Sequence, residues 1–181
     1  MPVSAFPDHT LESAPAAARR TMAGVTEKQG HLPAAVARLA TSPELLDGFL
    51  KSSALFESTT LDPLSREVLV MTMATGNDCH ICVAMHTAKL TALGADPGLI
   101  AALRERRALP DERLEAVREF TLAVLATAGA VDDATLQAFL AHGYTARNAL
   151  EVVLGIGTYT MSTLANRMTG APVDPQLAAF A

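Results

Sequence analysis

The chain has 181 residues, of which 50% are hydrophobic and only 4% aromatic, and its formal net charge is −5. This length suits a single domain with its own core. The acidic balance, with no basic patch interleaved with aromatic residues, argues against nucleic acid as a partner. No apolar run is long enough to cross a bilayer, and the N-terminus lacks the features of a signal peptide, so we expect a cytoplasmic protein without a membrane partner.

Signals for helix starts recur along the chain after an N-terminal arm, which we assign to residues 1–12 and which precedes a domain of residues 13–181. Each signal places Ser, Asp or Thr at the N-cap, often with Pro at the first helical position. They lie at Ser42-Pro43, Asp62-Pro63, Asp96-Pro97, Pro110-Asp111, Asp132 or Asp133, and Thr145. Strand patterns are nearly absent. The sequence therefore predicts an all-α, single-domain bundle of about eight helices joined by short turns.

The two cysteines of the chain lie three residues apart, at Cys79 and Cys82, and His86 follows four residues later. At about 100° per residue, the three positions fall within roughly 60° of one another on a helix. A thiolate is the reactive form of cysteine, and a nearby imidazole or a helix N-terminus favours it. Asn77 and Asp78 are good N-caps, which predicts that Cys79 lies in the first turn of a helix. The segment is therefore a candidate redox-active site.

Glu67 lies twelve residues before Cys79, within an otherwise apolar stretch. If the helix that carries Glu67 packs antiparallel to the cysteine helix, its carboxylate can reach His86. A carboxylate that holds an imidazole facing a sulfur is a general arrangement for activating a nucleophile.

Two other interpretations of these residues remain open. Cysteine is among the most buried residue types, so the pair can simply belong to the core. Alternatively, Cys79, Cys82 and His86 can ligate zinc, with Glu67 or water as the fourth ligand. No second CxxC pair accompanies them, which weakens the metal interpretation.

The same residues resemble a known family. Glu67, followed by the run from Asn77 to His86 that includes Cys79-His80-Ile81-Cys82, is similar to the core motif of the alkylhydroperoxidase D-like, peroxidase-related branch of the carboxymuconolactone decarboxylase superfamily. Weaker similarity extends the resemblance from about Gly30 to about Asp174, through the segments His31–Pro33, Ser42–Leu46, Glu151–Val153 and Asn166–Gly170.

The resemblance implies an all-α homo-oligomer that reduces hydroperoxides with two thiols, without a metal or another cofactor, and is regenerated by an unidentified thiol or dithiol reductant. It implies that Cys82 is the peroxidatic thiol, that Cys79 resolves its sulfenic acid into a disulfide, and that Glu67 and His86 relay protons. The family has a histidine immediately before the second cysteine, where this chain has Ile81. His80, one residue earlier, is a candidate auxiliary residue.

The assignment of the attacking sulfur and the reaction itself each have an alternative. Proximity to the helix N-terminus favours Cys79 as the thiolate, whereas the family resemblance favours Cys82. A lactone decarboxylase-like lyase, as in the other branch of the superfamily, is an alternative activity, although that branch typically lacks the CxxC pair. A third alternative is a non-enzymatic, redox-sensing helical oligomer.

Overall fold

The computed structural model describes residues 5–181, and its described part is built from helices without a β-strand. Within residues 5–181, nine α-helices are followed by one short 3-10 helix at Pro175–Phe180. The α-helices are α1 (Ala16–Gln29), α2 (Ala34–Leu39), α3 (Pro43–Glu57), α4 (Pro63–Gly76), α5 (His80–Ala92), α6 (Pro97–Arg104), α7 (Glu112–Ala126), α8 (Asp133–Ala141) and α9 (Ala146–Thr169). This architecture confirms the predicted all-α class. Within the described part of the chain, no helix combines the length and hydropathy that a membrane span needs.

The helix starts predicted from the sequence are present, and in each one a side chain accepts a hydrogen bond from the first turn. The capping residues are Ser42, Asp62, Asp96, Asp111, Asp132 and Thr145. Helices α1 and α2 follow Pro15 and Pro33, and neither start has a side-chain cap. Helix α5 likewise begins without a side-chain cap, at Cys79, so three of the described α-helices lack the polar cap that marks the other six.

Helix α4 lies at the centre of the fold, packed against α5, α7 and α9. Every residue from Glu67 to Thr75 is buried, including the apolar run Val68–Met71. A helix that is apolar on all sides has to be enclosed by other elements rather than lie on a surface. The one acidic side chain in this buried stretch, Glu67, is therefore held inside the protein.

Helix α9 crosses α4 closely because residue 155 has no side chain. A Cβ atom built at Gly155 would lie 2.6 Å from Phe56 Cε2 and 2.8 Å from Leu69 Cδ2. Both of those side chains are fully buried, so they have little room to move. The distance between α9 and α4 is therefore set by this glycine.

The start of α4 is fixed by a buried carboxylate on α9. Glu151 accepts hydrogen bonds from the backbone N–H groups of Thr60 and Leu61, at 3.0 and 3.1 Å. It also accepts from Asn148 Nδ2 at 2.9 Å and Arg147 Nε at 3.0 Å. Burial alone would raise the pKa of Glu151, but the hydrogen bonds from Thr60 and Asn148 outweigh it and hold that pKa below its ordinary value. The connection from α3 to α4 is thereby tied to α9.

Part of the predicted N-terminal arm, residues 1–4, lies outside the described residues. Further along, the Asp8 carboxylate forms an ion pair with Arg38 at 2.7 Å. Arg38 also donates to the carbonyl oxygens of Thr169 and Gly170 at the end of α9. The boundary between an arm and a domain at residue 12 stays a prediction.

We predict that Glu151→Gln lowers the free energy of unfolding by about 1–3 kcal/mol near neutral pH. The variant replaces one acceptor oxygen by an NH2 group, which cannot accept a hydrogen bond from the donors around it. The pKa of Glu151 is depressed in the folded protein. Its contribution is therefore complete above the unfolded-state pKa, about 4.3, and disappears as the pH falls through the lower folded-state pKa. Urea unfolding of both proteins between about pH 7 and about pH 3 measures this difference.

The control is Glu119→Gln on α7, where the side chain is exposed. It should change the free energy of unfolding by less than about 0.5 kcal/mol. A Glu151→Gln variant that behaves like this control at neutral pH would show that the buried carboxylate contributes no net stability.

Candidate active site

The turn between α4 and α5 places Cys79 differently from the sequence prediction. Helix α5 begins at His80, and Cys79 is its N-cap residue rather than part of its first turn. The chain reverses because Asp78 adopts the left-handed conformation, with φ of 50°, and the Cys79 N–H then donates to the Ala74 carbonyl at 2.9 Å. Asn77 does not cap the helix either, because its side chain donates to Thr163 Oγ1 at 2.8 Å.

Cys79 and Cys82 are joined in a disulfide, with their Cα atoms 5.3 Å apart. Both residues are buried, at 1% and 3% exposure. They pack in a small apolar cluster with Ala35, Ala74 and Ala171, as well as Ile81. The turn thus brings the two sulfurs within bonding distance, which is the geometry that reversible dithiol chemistry requires.

Glu67 and His86 form the buried pair expected from the sequence. His86 Nδ1 lies 2.7 Å from Glu67 Oε2. The Glu67 side chain is 2% exposed and the His86 side chain 8%. The imidazole also packs against the ring of Tyr159 in a T-shaped arrangement, with 5.5 Å between ring centroids. Glu67 and Tyr159 therefore orient the imidazole from two sides.

The ionisation of Glu67 sets the tautomer of His86. Burial alone would raise the pKa of Glu67, but the hydrogen bond from His86 and the charge of Lys89 outweigh it and lower that pKa. An ionised carboxylate can only accept, so His86 Nδ1 carries the shared proton. In the neutral ring Nε2 is then the basic nitrogen, available to a group on the other side of the imidazole.

Lys89 is a member of the site that the sequence analysis missed. Its ammonium group lies 2.9 Å from Glu67 Oε1 and 2.9 Å from Glu57 Oε1. Burial alone would lower the pKa of Lys89, but the Glu67 and Glu57 carboxylates outweigh it and raise that pKa. Its position three residues after His86 on α5 is the only signal in the sequence, and surface lysines commonly occupy such positions.

A cavity of about 380 Å³ opens beside these residues. Among the described residues that line it are Cys82, Met85, His86, Lys89 and Asn166, whereas Cys79 is not. Much of the remaining lining is apolar and comes from α1, α2 with its N-cap residue, α3 and the 3-10 helix, through Val25, Pro33, Val36, Leu39, Leu46, Phe49, Leu50 and Leu177. Cys82 is thus the sulfur of the pair that faces a space large enough for a small organic molecule.

His80, the candidate auxiliary residue, lies elsewhere. Its side chain is exposed and lines a separate shallow groove with Asp78 and Arg106. Ile81 is 1% exposed and packs against the two cysteines. The structure therefore corrects the suggestion that His80 substitutes for a histidine at position 81, because successive helical residues point in directions about 100° apart.

Asn166 also contacts the site and was missed as a site residue. Its Nδ2 donates to Cys82 Sγ at 3.5 Å, and the residue is 3% exposed. The next residue, Arg167, donates to the backbone carbonyls of Asn77 and Asp78. Helix α9 is thereby bonded to the turn that precedes Cys79. Nothing in the local sequence pattern of α9 distinguishes Asn166 from other buried polar residues.

Within residues 5–181, no group of three or more His, Cys, Asp and Glu side chains is arranged to hold a metal ion.

Part of the chain matches the model of a known protein family. Residues 43–120, which include Glu67, Cys79, Cys82 and His86, match the model of the carboxymuconolactone decarboxylase family. No curated protein matches the chain.

Solved structures share the whole fold. An uncharacterized peroxidase-related protein from Ralstonia eutropha JMP134, described as an alkylhydroperoxidase AhpD core, matches with a TM-score of 0.82 and 24% identity, over 98% of this chain and 95% of its own. A peroxidase-related protein from Silicibacter sp. TM1040 matches with a TM-score of 0.79 and 20% identity, over 96% of this chain and 92% of its own.

The debrominase Bmp8, crystallised as a cysteine-to-alanine variant with 2,3,4-tribromopyrrole, matches with a TM-score of 0.77 and 14% identity, over 99% of this chain and 96% of its own. At these identities the matches show a common fold. Residues 43–120 of this chain are therefore similar to the carboxymuconolactone decarboxylase family, and the chain has an all-α fold like that of the AhpD core.

Proposed function

We propose that the protein is a dithiol oxidoreductase that reduces organic hydroperoxides, with Cys82 as the attacking thiol and Cys79 as the resolving thiol. The observation that carries the proposal is the placement of the bridged pair beside the cavity that Cys82 and His86 line together. The hydrogen bond between His86 and the buried Glu67 supports it further, because it leaves the other imidazole nitrogen free to take a proton.

The reaction begins with the reduced pair. His86 Nε2 accepts the thiol proton of Cys82, which lies one helical turn before it on α5. The thiolate attacks the terminal oxygen of the hydroperoxide, the O–O bond breaks, and the alkoxide leaves as an alcohol with the proton from His86. Cys82 is then a sulfenic acid.

Cys79 closes the cycle. Its sulfur attacks Cys82 Sγ, the S–S bond forms, and the sulfenic oxygen leaves as water with the Cys79 proton. Each turnover therefore converts one hydroperoxide and two thiols into an alcohol, water and a disulfide. An external dithiol restores both thiols by exchange and is itself oxidised to a disulfide.

We predict that reduced protein mixed with cumene hydroperoxide loses two free thiols per chain. Cys79→Ser should lose its one thiol and hold a sulfenic acid that dimedone traps, because it retains the attacking sulfur. Cys82→Ser should keep its thiol. Thiol titration and intact-protein mass spectrometry measure the change in the wild type and in both variants.

If Cys82→Ser is the variant that carries the trapped sulfenic acid, the roles of the two cysteines are reversed. If no thiol is lost while both cysteines react with an alkylating reagent, the peroxidase proposal is wrong.

We predict that Glu67→Gln slows hydroperoxide-driven thiol oxidation by about 100-fold, a typical contribution of a positioned acid–base group. The glutamine amide no longer fixes the proton on His86 Nδ1, and it removes the charge that favours the imidazolium formed during the reaction. Stopped-flow thiol loss across pH measures the change in rate and profile. Glu57→Gln is the matched control, because Glu57 contacts the same Lys89 without touching His86. Equal rates for the two variants would remove Glu67 from the relay.

We also propose that the chain forms a homo-oligomer through α9. Leu150, Val153, Leu164 and Met168 are large apolar side chains on this helix that are 49–73% exposed, and their spacing places them along one face. Light scattering after size-exclusion chromatography should give a mass of at least two chains, and Leu164→Glu should reduce it to one. Leu93→Glu at the end of α5, where the leucine is 43% exposed, should leave the mass unchanged. A wild-type mass of one chain would contradict this proposal.

A further inference from the structure

The side-chain amide of Asn166 contacts Cys82 through its nitrogen and leaves its oxygen unpaired among the described residues. The nitrogen donates to Cys82 Sγ at 3.5 Å. The oxygen, Oδ1, is buried and has no hydrogen-bond partner among the described residues. Buried amide oxygens are usually paired, and Asn166 lines the same cavity as Cys82 and His86. The unpaired acceptor therefore belongs to the same side-chain amide whose nitrogen contacts the sulfur, on a residue that lines the cavity.

The position of Asn166 is well determined by its surroundings. Its backbone carbonyl accepts from the Ala171 N–H at 3.1 Å and from Thr169 Oγ1 at 3.3 Å, which close the end of α9. Arg167 ties the same turn to the segment before Cys79 through the carbonyls of Asn77 and Asp78. The amide is thus presented to the sulfur by a fixed backbone, as a preorganised donor must be.

We propose that Asn166 is a catalytic residue of this site, in which Nδ2–H stabilises the Cys82 thiolate and Oδ1 accepts a hydrogen bond from the hydroxyl of the hydroperoxide and then of the Cys82 sulfenic acid. The inference rests on the proposed thiol reaction. A thiolate is a charged acceptor, so it gains more from the amide donor than a disulfide sulfur does. A hydroperoxide and a sulfenic acid each carry one O–H donor, which matches the single unpaired oxygen.

This role separates the two cysteines. The amide donates to Cys82, whereas Cys79 lies at the helix N-terminus without lining the described cavity. Side-chain hydrogen bonding thereby favours the thiolate at Cys82, in opposition to the helix dipole, which favours Cys79. The other titratable side chains around the cavity are unchanged in an Asn166 variant, and they are His31, Glu57, His86, Lys89, Tyr159 and Asp174.

The test measures the thiolate and the peroxide reaction separately. In a Cys79→Ser background, the rate of Cys82 alkylation by iodoacetamide as a function of pH gives the pKa of its thiol. Asn166→Leu should raise that pKa by about one unit, because a donor to the thiolate is lost, and Asn166→Asp should raise it further through like-charge repulsion. In the dithiol protein, Asn166→Leu should also slow oxidation by cumene hydroperoxide at least about 10-fold beyond the loss of thiolate, since Oδ1 is missing.

Thr158→Val provides the matched control. Thr158 is also buried on α9, and its Oγ1 is likewise without a partner among the described residues, but Thr158 is absent from the cavity lining. This variant should leave both the thiol pKa and the oxidation rate unchanged. Thermal unfolding of each variant identifies any loss of folding, and Asn166→Asp, which keeps the size of the side chain, serves if the leucine variant unfolds.

The possible results lead to different conclusions. An unchanged Cys82 pKa in both Asn166 variants overturns the inference. The same change in Thr158→Val as in Asn166→Leu also overturns it, because the effect then belongs to helix packing. A raised pKa in a protein that does not react with hydroperoxides supports the donor role of Asn166 and refutes the peroxidase function.

Discussion

The hydrogen bond between His86 and the buried Glu67 carboxylate constrains how α4, α5 and the turn between them are arranged around the disulfide. A carboxylate that is 2% exposed needs compensating partners, and here these are the imidazole and the Lys89 ammonium on α5. Since Glu67 belongs to α4 and both partners to α5, the two helices are locked in one register. The turn between them, which holds Cys79, has little freedom left.

The surroundings of this pair show how protein groups stabilise the buried charge of Glu67. Lys89 connects the Glu67 carboxylate to Glu57, which is half-exposed at the protein surface. A second buried carboxylate, Glu151 of α9, lies just before the N-terminus of α4 and accepts from the backbone N–H groups of Thr60 and Leu61 as well as from side chains. Ionised side chains therefore hold the N-terminal half of the central helix, while the buried run that follows Glu67 is largely apolar.

The sequence predicted those parts of the structure that depend on local chemistry. Ser42, Asp62 and Thr145 cap helices as their side chains require, and the periodicity of α5 brings His86 to the buried acid of α4. The start of α5 was predicted wrongly, because the left-handed Asp78 was read as a helix cap. The sequence pattern does not predict the roles of Asn166 and Lys89. Their contacts depend on how helices that are distant in sequence pack together, and hydrophobic periodicity does not report the partners of a polar residue.

The glycine at the crossing of α9 and α4 has a consequence for the far end of α9. Gly155 sets how closely the two helices approach, and Asn166 lies eleven residues further along the same rigid rod, about 16 Å away. A small change in the angle between α9 and α4 at the crossing produces a larger displacement of Asn166 at that distance. Such a displacement changes the distance from Asn166 Nδ2 to Cys82 Sγ and weakens the hydrogen bond. The absence of a side chain at Gly155 thus helps to position the Asn166 amide, three helical turns away.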